Sequence, residues 1–190
     1  MFYYNNVDIF NYFLIMKKDL INLVDEKGLR IGSVGKLDAH LNKGQLHEAF
    51  SIFVFNKNNE LLIHKRNKEK YHSGGLWANT CCSHPKFNEI ILEAIHRRLK
   101  EEMGFDCELR KLFSFTYYVN LGTLVEHEYD HVFIGKMEFI DQIFPDPAEV
   151  EEYKWVSLDW LRKDIKLYPK KYVEWLKIIL NDDRFIIKFP

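Results

Sequence analysis

The alternation of hydrophobic and polar positions predicts a protein built from short strands and a few helices. Residues 20–25 alternate well enough for a first strand, and residues 26–28 form its turn. Apolar runs at 49–55 and 60–65, separated by the polar residues 56–59, predict a β-hairpin. Further strands are predicted at 109–121, 124–139 and 153–156, and short helices at 157–161 and 171–180.

The hydrophobic period changes to that of a helix over residues 89–103. An apolar stripe recurs every four residues, at Ile91, Ile95, Leu99 and Met103. Asn88 is the predicted N-cap, and Gly104 supplies the C-terminal stop. Arg98 and Glu102 border the stripe, so we expect Glu102 to face the interior of a site.

Composition limits the possible functions. The chain has 190 residues, is 47% hydrophobic and carries a formal net charge of −1. These values predict a single domain, 1–190, and offer no electrostatic footprint for nucleic acid or an anionic membrane. No apolar run is long enough to span a bilayer. Three cysteines do not make a disulfide framework, which favours a cytoplasmic location. Residues 1–15 precede Met16-Lys17-Lys18 and are expected to be an N-terminal extension.

The stretch 79–85 (NTCCSHP) carries the first candidate chemistry. It predicts a short strand closed by Pro85, on which Cys82 and His84 share one face while Cys81 faces the other way. A thiol beside an imidazole suits metal binding or proton transfer. A buried thiol next to a hydrogen-bonded histidine is the alternative interpretation.

Further donor groups lie in two other segments. His40 and His47 flank a polar loop, and Glu126 and Glu128 fall on one face of a predicted strand together with Asp130. Neighbouring carboxylates repel each other unless a cation lies between them, although an exposed acidic face would carry the same pattern. The set that would bind a divalent ion such as Zn, Mn or Mg is His40, His47, His84, Glu126 and Glu128.

At these residues the chain resembles type I isopentenyl-diphosphate delta-isomerase, a divergent branch of the Nudix fold. The Cys81–Pro85 run, the 126–128 triplet (EHE) and the His40…His47 pair carry the resemblance, which extends over about residues 20–180. It implies an α+β fold, a Nudix-type α/β/α sandwich with a mixed sheet and extra N-terminal strands. It also implies interconversion of isopentenyl and dimethylallyl diphosphate, a step of isoprenoid biosynthesis, through a tertiary carbocation-like state.

The Nudix box of this chain is altered at two positions. The usual pattern G-x5-E-x7-R-E-U-x-E-E-x-G-U, where U is aliphatic, is matched from Ser83 to Phe105. Ser83 replaces the glycine, and Arg98 replaces the glutamate that follows the box arginine. Replacing a metal-binding carboxylate by a cation disfavours metal-activated water attack and favours diphosphate binding.

The resemblance also implies a role for each site residue. Cys82 and Glu128 would exchange protons from opposite sides of the substrate, with Tyr117 beside the carboxylate. Trp175 would face the cation, although core packing of a helical tryptophan is an equal alternative. The diphosphate would contact Lys36, Arg66, Lys70 and Arg98. One Zn or Mn would occupy the His/Glu set, and Glu102 would hold Mg together with the diphosphate.

Two other functions stay open on the sequence alone. One is a Nudix-type pyrophosphohydrolase acting on a nucleotide or prenyl diphosphate. The other is a non-catalytic metal-binding or prenyl-diphosphate-sensing module, which has no need for Cys82 and Glu128 together. The expected partner is a small-molecule prenyl diphosphate, without nucleic acid or membrane, and the expected state is a monomer or weak homodimer. Residues 66–72 are predicted to be solvated basic surface.

Overall fold

The computed structural model describes residues 20–70, 72–137 and 143–187. The predicted extension, residues 1–15, lies outside these ranges. The strands are β1 (Leu20–Val24), β2 (Arg30–Gly35), β3 (His47–Phe55), β4 (Leu61–Arg66), β5 (Trp77–Ala78), β6 (Cys81–Ser83), β7 (Leu109–Asn120), β8 (Val125–Lys136) and β9 (Val150–Val156). The α-helices are α1 (Lys36–His40), α2 (Ile91–Met103), α3 (Leu158–Leu167) and α4 (Glu174–Asn181).

Strand β3 is the centre of a mixed sheet. It pairs in parallel with β8 and antiparallel with β1, β4 and β6. The long strand β7 runs antiparallel to β8, and β9 runs antiparallel to β4. Every residue of β3 is buried, as expected for a strand covered on both faces.

Two hydrophobic layers cover the sheet from opposite sides. Phe50, Ile52 and Val54 of β3 pack with Ile95 and Leu99 of α2. The alternate residues Phe53 and Phe55 pack in a second cluster with α3 and α4. This two-residue period confirms the predicted α/β/α sandwich, because successive side chains of one strand enter different layers. No helix in the described ranges is long and apolar enough to cross a membrane.

Several boundaries differ from the prediction. Helix α2 begins at Ile91 with Ile90 as its N-cap, so the assignment of Asn88 as N-cap is wrong; Asn88 instead has a positive φ of 65°. The final helix begins at Glu174, because residues 169–171 form a separate 3-10 turn. Helix α3 continues past Leu161 to Leu167, with Ser157 as its N-cap, which accepts a hydrogen bond from the Trp160 amide. Strand β2 and helix α1 were not predicted.

Candidate active site

Strand register brings the predicted donor groups to one place. Along the parallel pair β3–β8, His47 lies opposite Glu128. Strand β6 pairs with the other edge of β3, where Cys82 lies opposite Ser51. Helix α1 ends at the buried His40, and His84 follows β6 directly. Three segments distant in sequence, 40–47, 82–84 and 126–128, therefore contribute side chains to one site.

Three imidazoles converge on one carboxylate oxygen of Glu128. Its Oε1 lies 2.9 Å from Nε2 of His84, 3.5 Å from Nε2 of His47 and 3.9 Å from Nε2 of His40. Nδ1 of His40 pairs with the Lys36 carbonyl and Nδ1 of His47 with the Gln45 carbonyl, each over 2.7 Å. Because a carbonyl only accepts, these two nitrogens carry hydrogens, and each Nε2 faces the cluster, where it can donate to Glu128 when protonated or ligate a metal ion when it is not.

The donor set fits a divalent metal ion. One ligand atom from each of His40, His47, His84 and Glu128 lies within 4.8 Å of the others. With metal–ligand bonds of about 2.1 Å, neighbouring ligand atoms lie about 3.0–3.4 Å apart. The separation of 3.1 Å between Nε2 of His47 and Nε2 of His84 matches that spacing. The imidazoles of His40 and His47 are already oriented by carbonyl partners, as is usual for metal ligands.

Glu126 lies at the edge of this cluster. Its Oε2 is 3.5 Å from Nε2 of His40, while its Oε1 is 3.3 Å from Nε2 of His72. Burial, and then the charge of Glu128, raise the pKa of Glu126 well above its usual value. Burial acts in the same direction on Glu128, but hydrogen bonds with His47 and His84 outweigh it and hold the pKa of Glu128 well below its usual value.

Cys82 and Glu128 line the same cavity. Tyr117 donates a hydrogen bond of 2.6 Å to Oε2 of Glu128. Nη1 of Arg66 lies 3.8 Å from the Cys82 sulfur. Burial raises the pKa of Cys82 to about 12 despite the nearby Arg66, so this group is a thiol at neutral pH. The cavity thus contains a neutral acid and an ionised carboxylate.

Three cations and two carboxylates lie close together in the wall of this cavity. Lys36, Lys70 and Arg98 all line it, together with Glu102 and Glu149. Nη2 of Arg98 lies 2.6 Å from Glu102 and 3.1 Å from Glu149, and Nζ of Lys70 lies 2.5 Å from Glu149. Burial, then the charges of Lys70 and Arg98, lower the pKa of Lys36. Unfavourable cation crowding of this kind is relieved by an anionic ligand.

Trp175 both packs in the core and lines the cavity, so its position is compatible with a packing role and with a cation-facing role. Only 4% of its surface is exposed, and it packs from α4 into the core cluster that α3 also joins. Its ring also lines the cavity, with the Arg66 guanidinium 5.4 Å from the ring centroid. Its indole Nε1 donates to Oδ1 of Asn79 over 3.0 Å. The indole therefore presents an apolar surface to the cavity from a fixed position.

Sequence reasoning missed two titratable residues that line this cavity, His72 and Glu149. His72 belongs to the run 66–72 predicted as solvated surface, yet its side chain is only 9% exposed and lines the cavity. Arg66, at the start of that run, is also buried and lines the cavity, so the prediction is wrong for both residues. Burial, and then Arg66, lower the pKa of His72 to about 3. Glu149 lies in a turn after Pro145 and Pro147. Neither residue stands in a pattern that separates it from ordinary loop residues.

Comparisons with known proteins agree with this geometry. Residues 45–176 match the NUDIX domain. The chain is 48% identical to isopentenyl-diphosphate Delta-isomerase 2 of Aromatoleum aromaticum, over 86% of each chain. It is 51% identical to the protein of the same name from Photorhabdus laumondii, over 86% of this chain and 91% of that one.

Two solved structures show the same fold at low sequence identity. A Deinococcus radiodurans protein superimposes with a TM-score of 0.70 at 17% identity, over 84% of this chain and 96% of that one. A MutT NUDIX hydrolase of Burkholderia pseudomallei gives 0.58 at 19% identity, over 73% of this chain and 98% of that one. The fold is therefore Nudix, and by its close relatives the chain belongs to the isopentenyl-diphosphate Delta-isomerase family.

Proposed function

We propose that this protein interconverts isopentenyl diphosphate and dimethylallyl diphosphate. Membership of the isomerase family supports this function. The observation that carries it is the placement of a thiol, Cys82, and a carboxylate, Glu128, on one cavity that is also lined by four cationic side chains. A diphosphate group bound by these cations would leave its short alkenyl chain between the two proton-exchanging groups.

The proposed reaction exchanges protons across three carbons. One group protonates the terminal alkene carbon, which forms a C–H bond and leaves a tertiary carbocation-like state. The other group removes a proton from the CH₂ bonded to the cationic carbon, and the electrons of that C–H bond form the new double bond. Cys82 and Glu128 exchange roles when the reaction runs backwards. Positioned acid–base groups of this kind contribute roughly 10²–10⁴-fold to the rate.

Other residues of the cavity have supporting roles in this proposal. Tyr117 orients the Glu128 carboxylate through its hydrogen bond. The buried indole of Trp175 stabilises the cationic state, because a desolvated cation–π contact contributes about 2 kcal/mol. Lys36, Arg66, Lys70 and Arg98 bind the diphosphate.

Metal ions complete the proposed site. His40, His47, His84, Glu126 and Glu128 would hold one Zn or Mn, which would supply fixed carboxylate geometry and altered acidity. Glu102 would hold Mg together with diphosphate oxygens. A cytoplasmic location, and a monomer or weak homodimer without nucleic-acid or membrane partners, remain predictions from the sequence.

Incubation with isopentenyl diphosphate and Mg²⁺ in D₂O, followed by NMR, tests the function. We expect deuterium-bearing dimethylallyl diphosphate without release of phosphate or pyrophosphate. Release of either anion would favour the Nudix hydrolase, which Arg98 disfavours. Binding of the diphosphate without deuterium exchange would favour a sensing module.

A further inference from the structure

His72 lies where the His/Glu cluster meets the rest of the cavity. Its ring stacks near the ring of His40, with 5.8 Å between centroids and 25° between planes. On another side, its ring is 6.1 Å from that of Trp175 in an edge contact. Its side chain is only 9% exposed, so the histidine is enclosed by the site.

The contacts of His72 lead directly to a carboxylate of the metal site. Nε2 of His72 lies 3.3 Å from Oε1 of Glu126, and the other oxygen of Glu126 lies 3.5 Å from Nε2 of His40. Nδ1 of His72 lies 3.3 Å from the Ser73 hydroxyl, which can donate to it. In that arrangement Nε2 carries the hydrogen and lies within 3.3 Å of Oε1 of Glu126.

The backbone around His72 is held in position by contacts that keep its side chain directed at Glu126. Ser73 has a positive φ of 51°, and Nη2 of Arg66 donates to the His72 carbonyl over 3.3 Å. A side chain held by its own backbone and by a neighbouring hydroxyl loses little freedom when it engages a carboxylate.

We propose that His72 is a positioning residue, which holds Glu126 in the orientation that the divalent metal requires. The inference rests on the proposed metal site. In other metal sites, carboxylates and carbonyls orient the histidine ligands by hydrogen bonding to them, and His72 would orient the Glu126 ligand in the same way. Loss of such an orienting group lowers metal affinity or activity by about 10- to 100-fold.

Zinc affinity of the metal-stripped, full-length protein tests the role without any measurement of turnover. Zn²⁺ is titrated against a competing chelator with the wild type, His72→Ala, His72→Gln and the surface control His96→Ala, whose imidazole pairs with Asp106. We expect His72→Ala to bind Zn²⁺ about 10- to 100-fold more weakly, His72→Gln to recover much of the loss through its amide donor, and His96→Ala to match the wild type.

A double-mutant cycle separates positioning from a general structural effect. If His72 acts through Glu126, His72→Ala costs no further zinc affinity in a Glu126→Ala background. An equal loss in both backgrounds, or wild-type affinity in His72→Ala, would overturn the proposal. Should His72→Ala fail to fold, the same comparison with His72→Phe, which keeps the ring and removes the donor, decides it. If the wild type itself binds no Zn²⁺, the proposed metal site fails, and the positioning role fails with it.

Discussion

The hydroxyl of Tyr117 and Oε2 of Glu128 are joined by a hydrogen bond of 2.6 Å. The other oxygen of the same carboxylate faces His40, His47 and His84. The two oxygens of Glu128 are therefore divided between a phenol and the candidate metal site. This division fixes the plane of the carboxylate, on which proton exchange at one defined carbon depends.

Replacement of Tyr117 by Phe should lower kcat with little change in KM. The variant removes a donor to a buried charge, a bond that contributes about 1.5–3 kcal/mol, while the cations of the cavity are untouched. The corresponding loss in kcat is about 10- to 150-fold. Tyr118→Phe is the matched control, because that side chain is exposed on the other face of β7. A weaker KM with unchanged kcat would contradict an orienting role.

Substitution of the adjacent residues Cys82 and Cys81 should affect different quantities, turnover at Cys82 and stability at Cys81. Cys82→Ala should abolish deuterium incorporation while the melting temperature stays near that of the wild type, because the side chain lines a cavity. Cys81 is fully buried in the other layer with α2, so Cys81→Ala should keep turnover and lose about 0.5–3 kcal/mol of unfolding free energy. NMR turnover and thermal unfolding check the pair. An active Cys82→Ala enzyme would remove the thiol from the mechanism.

The sequence predicted the strands that carry the site because their side-chain period is strict. The alternation over 126–130 placed Glu126, Glu128 and Asp130 on one face, and all three are buried in the structure. The split between Cys81 and Cys82 followed from the same rule and also agrees with the structure.

The remaining parts of the site depend on tertiary contacts that have no local pattern. The side chain of His72 is enclosed because Arg66 and Trp175 lie against its loop, and Glu149 faces inward because Lys70 and Arg98 lie opposite. Both residues come from loops, where composition alone predicts exposure. The start of α2 was also mispredicted, because the side chain of Asn22 accepts a hydrogen bond from the amide of Asn88 and holds it outside the helix.

The aromatic ring of Trp175, which a hydrogen bond to Asn79 holds in place, should be needed for turnover. Asn79 is fully buried, and its amide also donates to the carbonyls of Ile52 and Cys81. Trp175→Leu should lower kcat by about 30-fold, the equivalent of the lost cation–π contact of about 2 kcal/mol. Trp175→Phe, which keeps an aromatic ring, should lose less. Steady-state kinetics at saturating substrate test the order, and equal losses in the two variants would favour a packing role alone.

Removal of the divalent metal should abolish activity and lower the melting temperature. The stabilisation by a bound ion rises with its concentration, reaching about 4 kcal/mol at 1,000 times its Kd. Calorimetry of stripped and reloaded protein, with turnover measured in parallel, tests both effects, and Zn²⁺ or Mn²⁺ should restore them. Full activity after verified metal removal would exclude the ion from the reaction.

Lys36 should destabilise the free protein while it supports substrate binding. Burial, Lys70 and Arg98 lower its pKa in the folded state, so between that lowered value and the usual value of about 10.4 the unfolded chain binds more protons. The unfolding free energy of the free enzyme therefore increases as pH rises through that window. Below the window Lys36 is charged in both states, and its charged form lowers the stability of the folded protein.

Lys36→Met should remove that cost at neutral pH. The variant should unfold at a higher temperature than the wild type, yet its KM for the diphosphate substrate should rise about tenfold or more, because a charge-assisted contact of about 1.5–3 kcal/mol is lost. Lys57→Met, in the exposed turn between β3 and β4, should change neither quantity. Because an anionic ligand offsets the crowding of Lys36, Lys70 and Arg98, added pyrophosphate should stabilise the wild type more than Lys36→Met. A variant that is less stable and binds substrate normally would show that Lys36 serves the fold and not the diphosphate.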